Sequence, residues 1–86
     1  MRIARTARFK KAWKELNAEE KSLGRKAITN LLADIRYPSL MVKKMQGIED
    51  VWEARVSRSV RLTFEISSDV IVLRNVGYHE DTLKHP

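Results

Sequence analysis

The chain contains no cysteine. That excludes a disulfide framework and a thiolate metal site, and it suits a reducing, cytoplasmic compartment. Only two histidines are present, with nothing else at ligand spacing, so the sequence offers no metal site and implies no cofactor. The N-terminal stretch is broken by Arg2, Arg5, Arg8, Lys10 and Lys11 and lacks the apolar run of a signal peptide. Nowhere is there an apolar run long enough to cross a bilayer, so no membrane partner is expected. Repeats, low-complexity tracts and a linker are also absent, which leaves one domain over residues 1–86. A domain this short buries only roughly 60–65% of its unfolded surface, too little to enclose a deep active-site cavity. A working site is therefore expected open on a face.

Acidic residues are scarce in one region. Residues 1–26 hold nine Lys and Arg against three Glu, whereas 27–50 and 51–86 are each balanced, so the formal charge of +6 lies on the first third. Such a patch favours phosphate backbones or an acidic protein partner, although solubility alone also explains basic domains of this size.

The stretch from Val51 to Gly77 carries the strongest pattern. Val60, Leu62, Phe64 and Ile66 alternate with Arg61, Thr63, Glu65 and Ser67, the period of a strand with one face in a core. Trp52, Ala54 and Val56 alternate in the same way with Glu53, Arg55 and Ser57, and Ser57-Arg58-Ser59 is short enough to close a hairpin. Val70 to Val76 is mostly apolar and β-branched, which predicts a central strand buried on both faces, reached through a turn at Ser67-Ser68-Asp69. Arg74 interrupts it and must be paired or open to solvent.

Upstream, Arg2 to Arg5 reads as a short strand with Ile3 inward. Thr6 is an N-cap, followed by Phe9, Ala12, Trp13 and Leu16 at helical spacing. Asn17-Ala18-Glu19-Glu20 fits a capping box. A second helix follows with Leu23, Ala27, Ile28, Leu31, Leu32 and Ile35 as its stripe, ended by Tyr37-Pro38. Trp13 and Trp52 sit on apolar stripes and are assigned to the core. Ser39 to Met45 is expected to be a strand with a bulge or end near Gln46-Gly47, and Tyr78 to Pro86 a polar tail. The order β-α-α-β-β-β-β predicts an α+β domain, a helical hairpin packed on one face of a small, mostly antiparallel sheet.

These motifs together resemble the RelE/ParE superfamily of bacterial type II toxins. The resemblance runs over nearly the whole chain, through F-K-K-A-W-K-E-L, Y-P-S-L-M-V-K-K-M-Q-G, W-E-A-R-V-S-R-S-V-R-L-T-F-E-I and V-L-R-N-V-G-Y-H-E-D. The combination W-E-x-R-V, x-R-L-x-F and V-G-x-H is fairly specific for the RelE-like branch; no single piece is. The resemblance implies a ribosome-dependent endoribonuclease that cuts mRNA in the A site and is neutralised by a cognate antitoxin. Its basic first helices would lie against ribosomal RNA. The ParE-like branch shares the fold and inhibits DNA gyrase without cutting RNA. Gln46 stands where a basic residue is common and Val60 where an aromatic is common, which keeps a third reading open, an inactive toxin-fold binding module.

The chemistry can be argued beside the family. Cleaving RNA through its own 2′-OH needs a base, a cation for the crowded phosphorane and an acid for the 5′-oxygen, but no metal. Arginine suits the phosphorane, because its planar fork binds phosphate oxygens and stays charged. Histidine suits the proton transfers. Arg55 and Arg61 share the strand face that lacks the apolar residues; the alternative is a cross-strand ladder with Glu53 and Glu65. Arg61 matches the arginine of the family's Y-R-L motif and Arg55 a basic position on the preceding strand. Lys43 and Lys44 fall where relatives carry phosphate-holding basic residues; the alternative is a solvated strand end. His79, after V-G-Y, matches an arginine or histidine of the family. His85 falls near the family's C-terminal catalytic tyrosine or histidine. Either could equally be a surface residue. Tyr78 is the one aromatic beside the candidate site.

Overall fold

In the computed structural model, which describes residues 1–86, the chain begins with strand β1 (Arg2–Arg5). Thr6 then caps helix α1 (Ala7–Lys14): its backbone is extended, and its hydroxyl accepts from the Phe9 N–H at 3.0 Å. The hydroxyl also donates to the Arg74 carbonyl at 2.8 Å, tying the cap to the sheet. Helix α2 (Ala18–Ala33) opens on a reciprocal capping box. Asn17 Oδ1 accepts from the Glu20 N–H at 2.8 Å, and Glu20 Oε1 accepts from the Asn17 N–H at 2.9 Å. Phe9 from α1, Leu16 from the link between the helices, and Ala27 and Leu31 from α2 point into the core.

Between the helices, Trp13 stacks on Phe9 with ring centroids 5.8 Å apart. Its far edge presses on Gly24: a Cβ there would lie 2.6 Å from Trp13 Cζ3 and 2.7 Å from Cη2. Only glycine permits that approach.

The sheet continues with β2 (Lys43–Lys44), β3 (Trp52–Arg55), β4 (Val60–Ser67) and β5 (Val70–Tyr78), in the order β1-β5-β4-β3-β2. β1 runs parallel to β5, and the other pairs are antiparallel. Ala54, Val60, Leu62, Phe64, Ile71, Leu73 and Val76 meet the helices in a single core. Fully burying one such large side chain stabilises the fold by about 1.5–3 kcal/mol. Trp52 and Trp13 pack against this core, half-buried.

Four expectations are corrected. First, α2 stops at Ala33, short of Tyr37-Pro38. Asp34 is extended and its carboxylate accepts from the Arg36 N–H at 2.9 Å, an aspartate turn that competes with the helix. Second, Ser39 to Met45 is mostly not strand. A 3₁₀ turn (Pro38–Leu40) buries Leu40, Met41 adopts a left-handed conformation at φ 46°, and only Lys43 and Lys44 join the sheet.

Third, β5 is central, but its two faces are not equally buried. Ile71 and Leu73 are buried while Val70, Val72 and Arg74 are half-buried, because the helices cover one face only. A bulge explains Arg74. Phe64 pairs with Leu73 and Thr63 with Asn75, so Arg74 is the extra residue. It bonds the Glu65 carboxylate at 3.4 Å and the Pro86 carbonyl at 2.9 Å.

Fourth, the end of the chain is not a loose tail. A short helix α3 (His79–Lys84) buries Thr82 and lies across the polar face of β4 and β5. The carbonyls just beyond it are fastened there. Pro86 accepts from Thr63 Oγ1 at 3.1 Å, and His85 accepts from Asn75 Nδ2 at 2.8 Å and Arg8 Nη1 at 3.2 Å. Thr63 and Asn75 are buried beneath it, so the second sheet face is open only around this segment.

Candidate functional site

The β3–β4 hairpin and the start of α3 form the walls of one cleft. Strand register sets Arg55 directly opposite Arg61, on the face opposite Ala54 and Leu62, and Arg55, at the end of β3, also lines a groove with Lys26 and Asn30 of α2. Like charges placed across a ladder repel, and here no carboxylate intervenes. The sheet's acids are used elsewhere: Glu53 pairs with Lys43 at 3.7 Å and Glu65 with Arg74 at 3.4 Å. The Arg–Glu ladder therefore does not form with Arg55 or Arg61.

Arg61 is held by backbone instead. Its Nη1 donates to the carbonyls of Ser57 at 2.7 Å, Val60 at 3.2 Å and Arg58 at 3.3 Å, all at the hairpin turn. Nε and Nη2 make no such bond. Half of the guanidinium fork is thus fixed and half is free to meet an oxyanion.

The hairpin also positions His79. The His79 N–H donates to the Ser59 carbonyl at 2.8 Å, so the first residue of α3 is pinned to the turn that carries Arg61. Gly77 permits this packing: a Cβ on it would lie 2.9 Å from Thr82 Oγ1. The resulting cleft is shallow, about 550 Å³, and is lined by Arg58, Ser59, Arg61, Tyr78, His79, Glu80 and Asp81.

Tyr78 forms the outer wall and is well exposed. Glu20 accepts a hydrogen bond from its phenol and its negative charge opposes the phenolate, so the Tyr78 pKa is raised above the usual 10.0. Glu20 therefore both caps α2 and raises the pKa of the cleft's one aromatic.

The remaining candidates lie outside the cleft. Arg55 lines no part of it; its Nη1 points to Met41 Sδ at 3.5 Å. Lys43 follows Arg55 along the same face but is paired with Glu53, whose side chain is only 9% exposed. Lys44 pairs with Trp52 across the ladder, on the other face, and is exposed. His85 lies in a neighbouring groove with Leu16, Asn75 and Thr82. No group of three or more His, Asp or Glu is placed to hold a metal ion, and no helix is long and apolar enough to cross a membrane.

No protein-family model matches the chain, and no curated protein sequence does. Solved structures do. A chain of the RelB–RelE antitoxin–toxin complex from Methanococcus jannaschii superposes with a TM-score of 0.76 at 18% identity, over 96% of this chain and 99% of that one. The intact RelBE toxin–antitoxin complex of E. coli gives 0.72 at 20% identity, over 90% and 94%. The YoeB/ParE toxin from Agrobacterium tumefaciens gives 0.77 at 14% identity, over 92% and 99%. The chain has the RelE/ParE toxin fold.

Within this RelE-like fold one residue of the cleft, Arg58, was not among the sequence candidates. Arg58 was read as part of a turn, yet it lines the cleft beside Arg61 and has no acidic partner. An unpaired arginine in a turn between two strands of like parity was the available signal. Glu80 and Asp81, which the sequence offers either as partners that orient His79 or as solvation of the tail, belong to the first turn of α3 and line the same cleft.

Proposed function

We propose that the protein is the toxin of a toxin–antitoxin pair and acts as a metal-independent endoribonuclease on mRNA, inhibiting translation at the ribosome. The observation that carries this reading is that Arg61, which forms no ion pair, and His79 line one open cleft. Likeness to structures described as toxins and toxin–antitoxin complexes supports the toxin part and a cognate antitoxin partner.

The step would run as follows. His79 takes the proton of a ribose 2′-OH, and the 2′-oxygen attacks the adjacent phosphorus. The free edge of Arg61, with Arg58 beside it, neutralises the phosphorane oxygens. The bond from phosphorus to the 5′-oxygen then breaks, and that oxygen takes a proton from solvent water while His79 returns its own to solvent, leaving a 2′,3′-cyclic phosphate and a 5′-hydroxyl. Arg55, directly across the ladder, adds positive potential without touching the reacting group. The open form of the cleft suits a single-stranded chain entering from the surface, and the basic helices α1 and α2 would lie toward ribosomal RNA. Removing a proton-transfer group of this kind typically costs about 10²–10⁴-fold, and removing one oxyanion donor about 10²–10³-fold.

One observation favours a second reading. Lys43 is engaged with Glu53 and His85 lies outside the cleft, so the cleft holds a single histidine rather than two proton-transfer groups. A binding-only inhibitor, such as a ParE-like protein acting on DNA gyrase, or an inactive toxin-fold binding module needs no such group. Primer extension on cellular mRNA after brief induction separates the readings. The nuclease reading expects discrete in-frame cuts that vanish with Arg61→Ala and with His79→Ala. Growth arrest with intact mRNA refutes it and favours the binding-only reading.

A further inference from the structure

The turn between β3 and β4 closes through a side chain. In an antiparallel ladder a hydrogen-bonded pair exchanges two main-chain bonds. Val56 and Val60, which flank the turn, make only one of them. The Val56 N–H donates to the Val60 carbonyl at 3.0 Å, and the Ser57 N–H shares that carbonyl at 3.2 Å. The Val60 N–H does not return to the Val56 carbonyl. It donates instead to the Ser57 hydroxyl at 3.2 Å. Val60 is buried and Ser57 half-buried, so water is a poor substitute for that oxygen.

The consequence falls on Arg61. Because a side chain satisfies the Val60 N–H, the turn's carbonyls are left to the guanidinium. Of the three that accept from Nη1, the Ser57 carbonyl is the nearest, at 2.7 Å, against 3.2 Å and 3.3 Å for Val60 and Arg58. A carboxylate would hold the guanidinium more strongly but would cancel its charge toward a phosphate. Carbonyl dipoles hold it and leave the unit charge intact. They also offset the repulsion from Arg55 across the ladder.

We propose that Ser57 is a positioning residue for RNA cleavage: its hydroxyl takes the Val60 N–H and so reserves the Ser57 carbonyl for the inner edge of Arg61. The proposal rests on the ribonuclease reading of the cleft and deepens it. Ser57 itself touches no reacting atom. In Ser57→Ala the buried Val60 N–H turns to the carbonyls of the turn, and Arg61 loses its shortest bond. The Val56 and Ser57 N–H bonds to Val60 remain, so the hairpin stays closed and the Ser59 carbonyl still holds the His79 N–H. Ser57→Thr keeps a hydroxyl at the same reach.

The test compares wild type, Ser57→Ala and Ser57→Thr, each alone and combined with Arg61→Ala. Single-turnover cleavage is measured on programmed ribosomes, per folded molecule as read by thermal unfolding. Resonances of isotope-labelled arginine side chains are recorded beside it. Ser57→Ala is expected to lower the maximal rate about tenfold, the scale of a sub-ångström misplacement, with the half-saturating concentration unchanged. Ser57→Thr restores the rate. In the Arg61→Ala background Ser57→Ala has no further effect, because its action passes through Arg61; a merely structural loss would lower that rate again. The Arg61 guanidinium protons exchange slowly in wild type and in Ser57→Thr, and quickly in Ser57→Ala. Unchanged Arg61 resonances in Ser57→Ala overturn the proposal whether or not RNA is cut. So does an unchanged rate in Ser57→Ala, or a loss that persists without Arg61. Wild type that cuts no mRNA fails the ribonuclease reading, and the Arg61 resonances then still decide whether Ser57 aims that side chain.

Discussion

Replacing Gly77 with alanine places a methyl carbon 2.9 Å from Thr82 Oγ1, where an ordinary contact begins at 3.4 Å. Thr82 is 2% exposed and the centre of the α3 contact with the sheet. It cannot swing into solvent, so α3 must retreat by about half an ångström to reach that ordinary spacing. Overpacking of this kind typically costs about 1–3 kcal/mol. The same retreat shifts His79, three residues earlier on the helix, away from Arg61, which the hairpin carbonyls hold in place. Because a misplacement of about 1 Å can cost 10²-fold, half of that should lower cleavage about tenfold beyond any loss of folded protein. Urea unfolding gives the stability change, and single-turnover cleavage at saturating enzyme gives the rate. The double variant Gly77→Ala with Thr82→Ala removes the struck oxygen and should recover part of both, the strain of an alanine at φ 159° remaining. If Gly77→Ala matches wild type in stability and rate, or the double variant is no better than the single one, the coupling between α3 packing and His79 is wrong.

Other consequences are smaller but independent. Gly24→Ala gains helix propensity of about 1 kcal/mol, yet its methyl meets Trp13 at 2.6 Å; a net loss of up to about 2 kcal/mol is expected by urea unfolding with a changed Trp13 emission. Asn17→Ala should cost about 1 kcal/mol and leave the cleft geometry unchanged, read by thermal unfolding beside cleavage. In a Tyr37→Phe background, the ultraviolet titration of Tyr78 should fall above 10.0 and return toward it in Glu20→Gln. The sign follows from the raised pKa. The folded state holds the phenol proton more tightly than the unfolded one, so this contribution is present below pH 10.0 and is lost as pH rises through the folded value.

The helical hairpin was legible because its signals are local. Phe9, Ala12, Trp13 and Leu16 announce a face by spacing, and Asn17 with Glu20 announces a helix start by chemistry that needs no tertiary partner. Alternation through Val60 to Ile66 placed β4, and parity placed Arg55 and Arg61 on one face, as the register bears out. What escaped depends on distant contacts. His79 to Lys84 is polar, six residues long and buries one threonine; it is a helix because Asn75, Thr63 and Arg74 hold the carbonyls just beyond it. Arg74 could not be assigned by parity because it is the bulged residue. The strand expected over Ser39 to Met45 shrank because Met41 turns left-handed to carry the chain from Leu40 in the core to the sheet edge.

The same limit holds for the candidate site. Arg61 and His79 are 18 positions apart in sequence, and they meet only because the His79 N–H finds the Ser59 carbonyl. Lys43 looked free because its partner Glu53 lies across a ladder whose register depends on where the short strand β2 begins.

The most direct test is single-turnover cleavage of mRNA on programmed ribosomes by the purified protein, with the ends of the products identified. The account predicts a 2′,3′-cyclic phosphate and a 5′-hydroxyl at each cut. It also predicts a rate lowered about 10²-fold or more by Arg61→Ala or His79→Ala, and Lys44→Ala equal to wild type. A 3′-hydroxyl and 5′-phosphate, or cleavage that persists in His79→Ala, would contradict it.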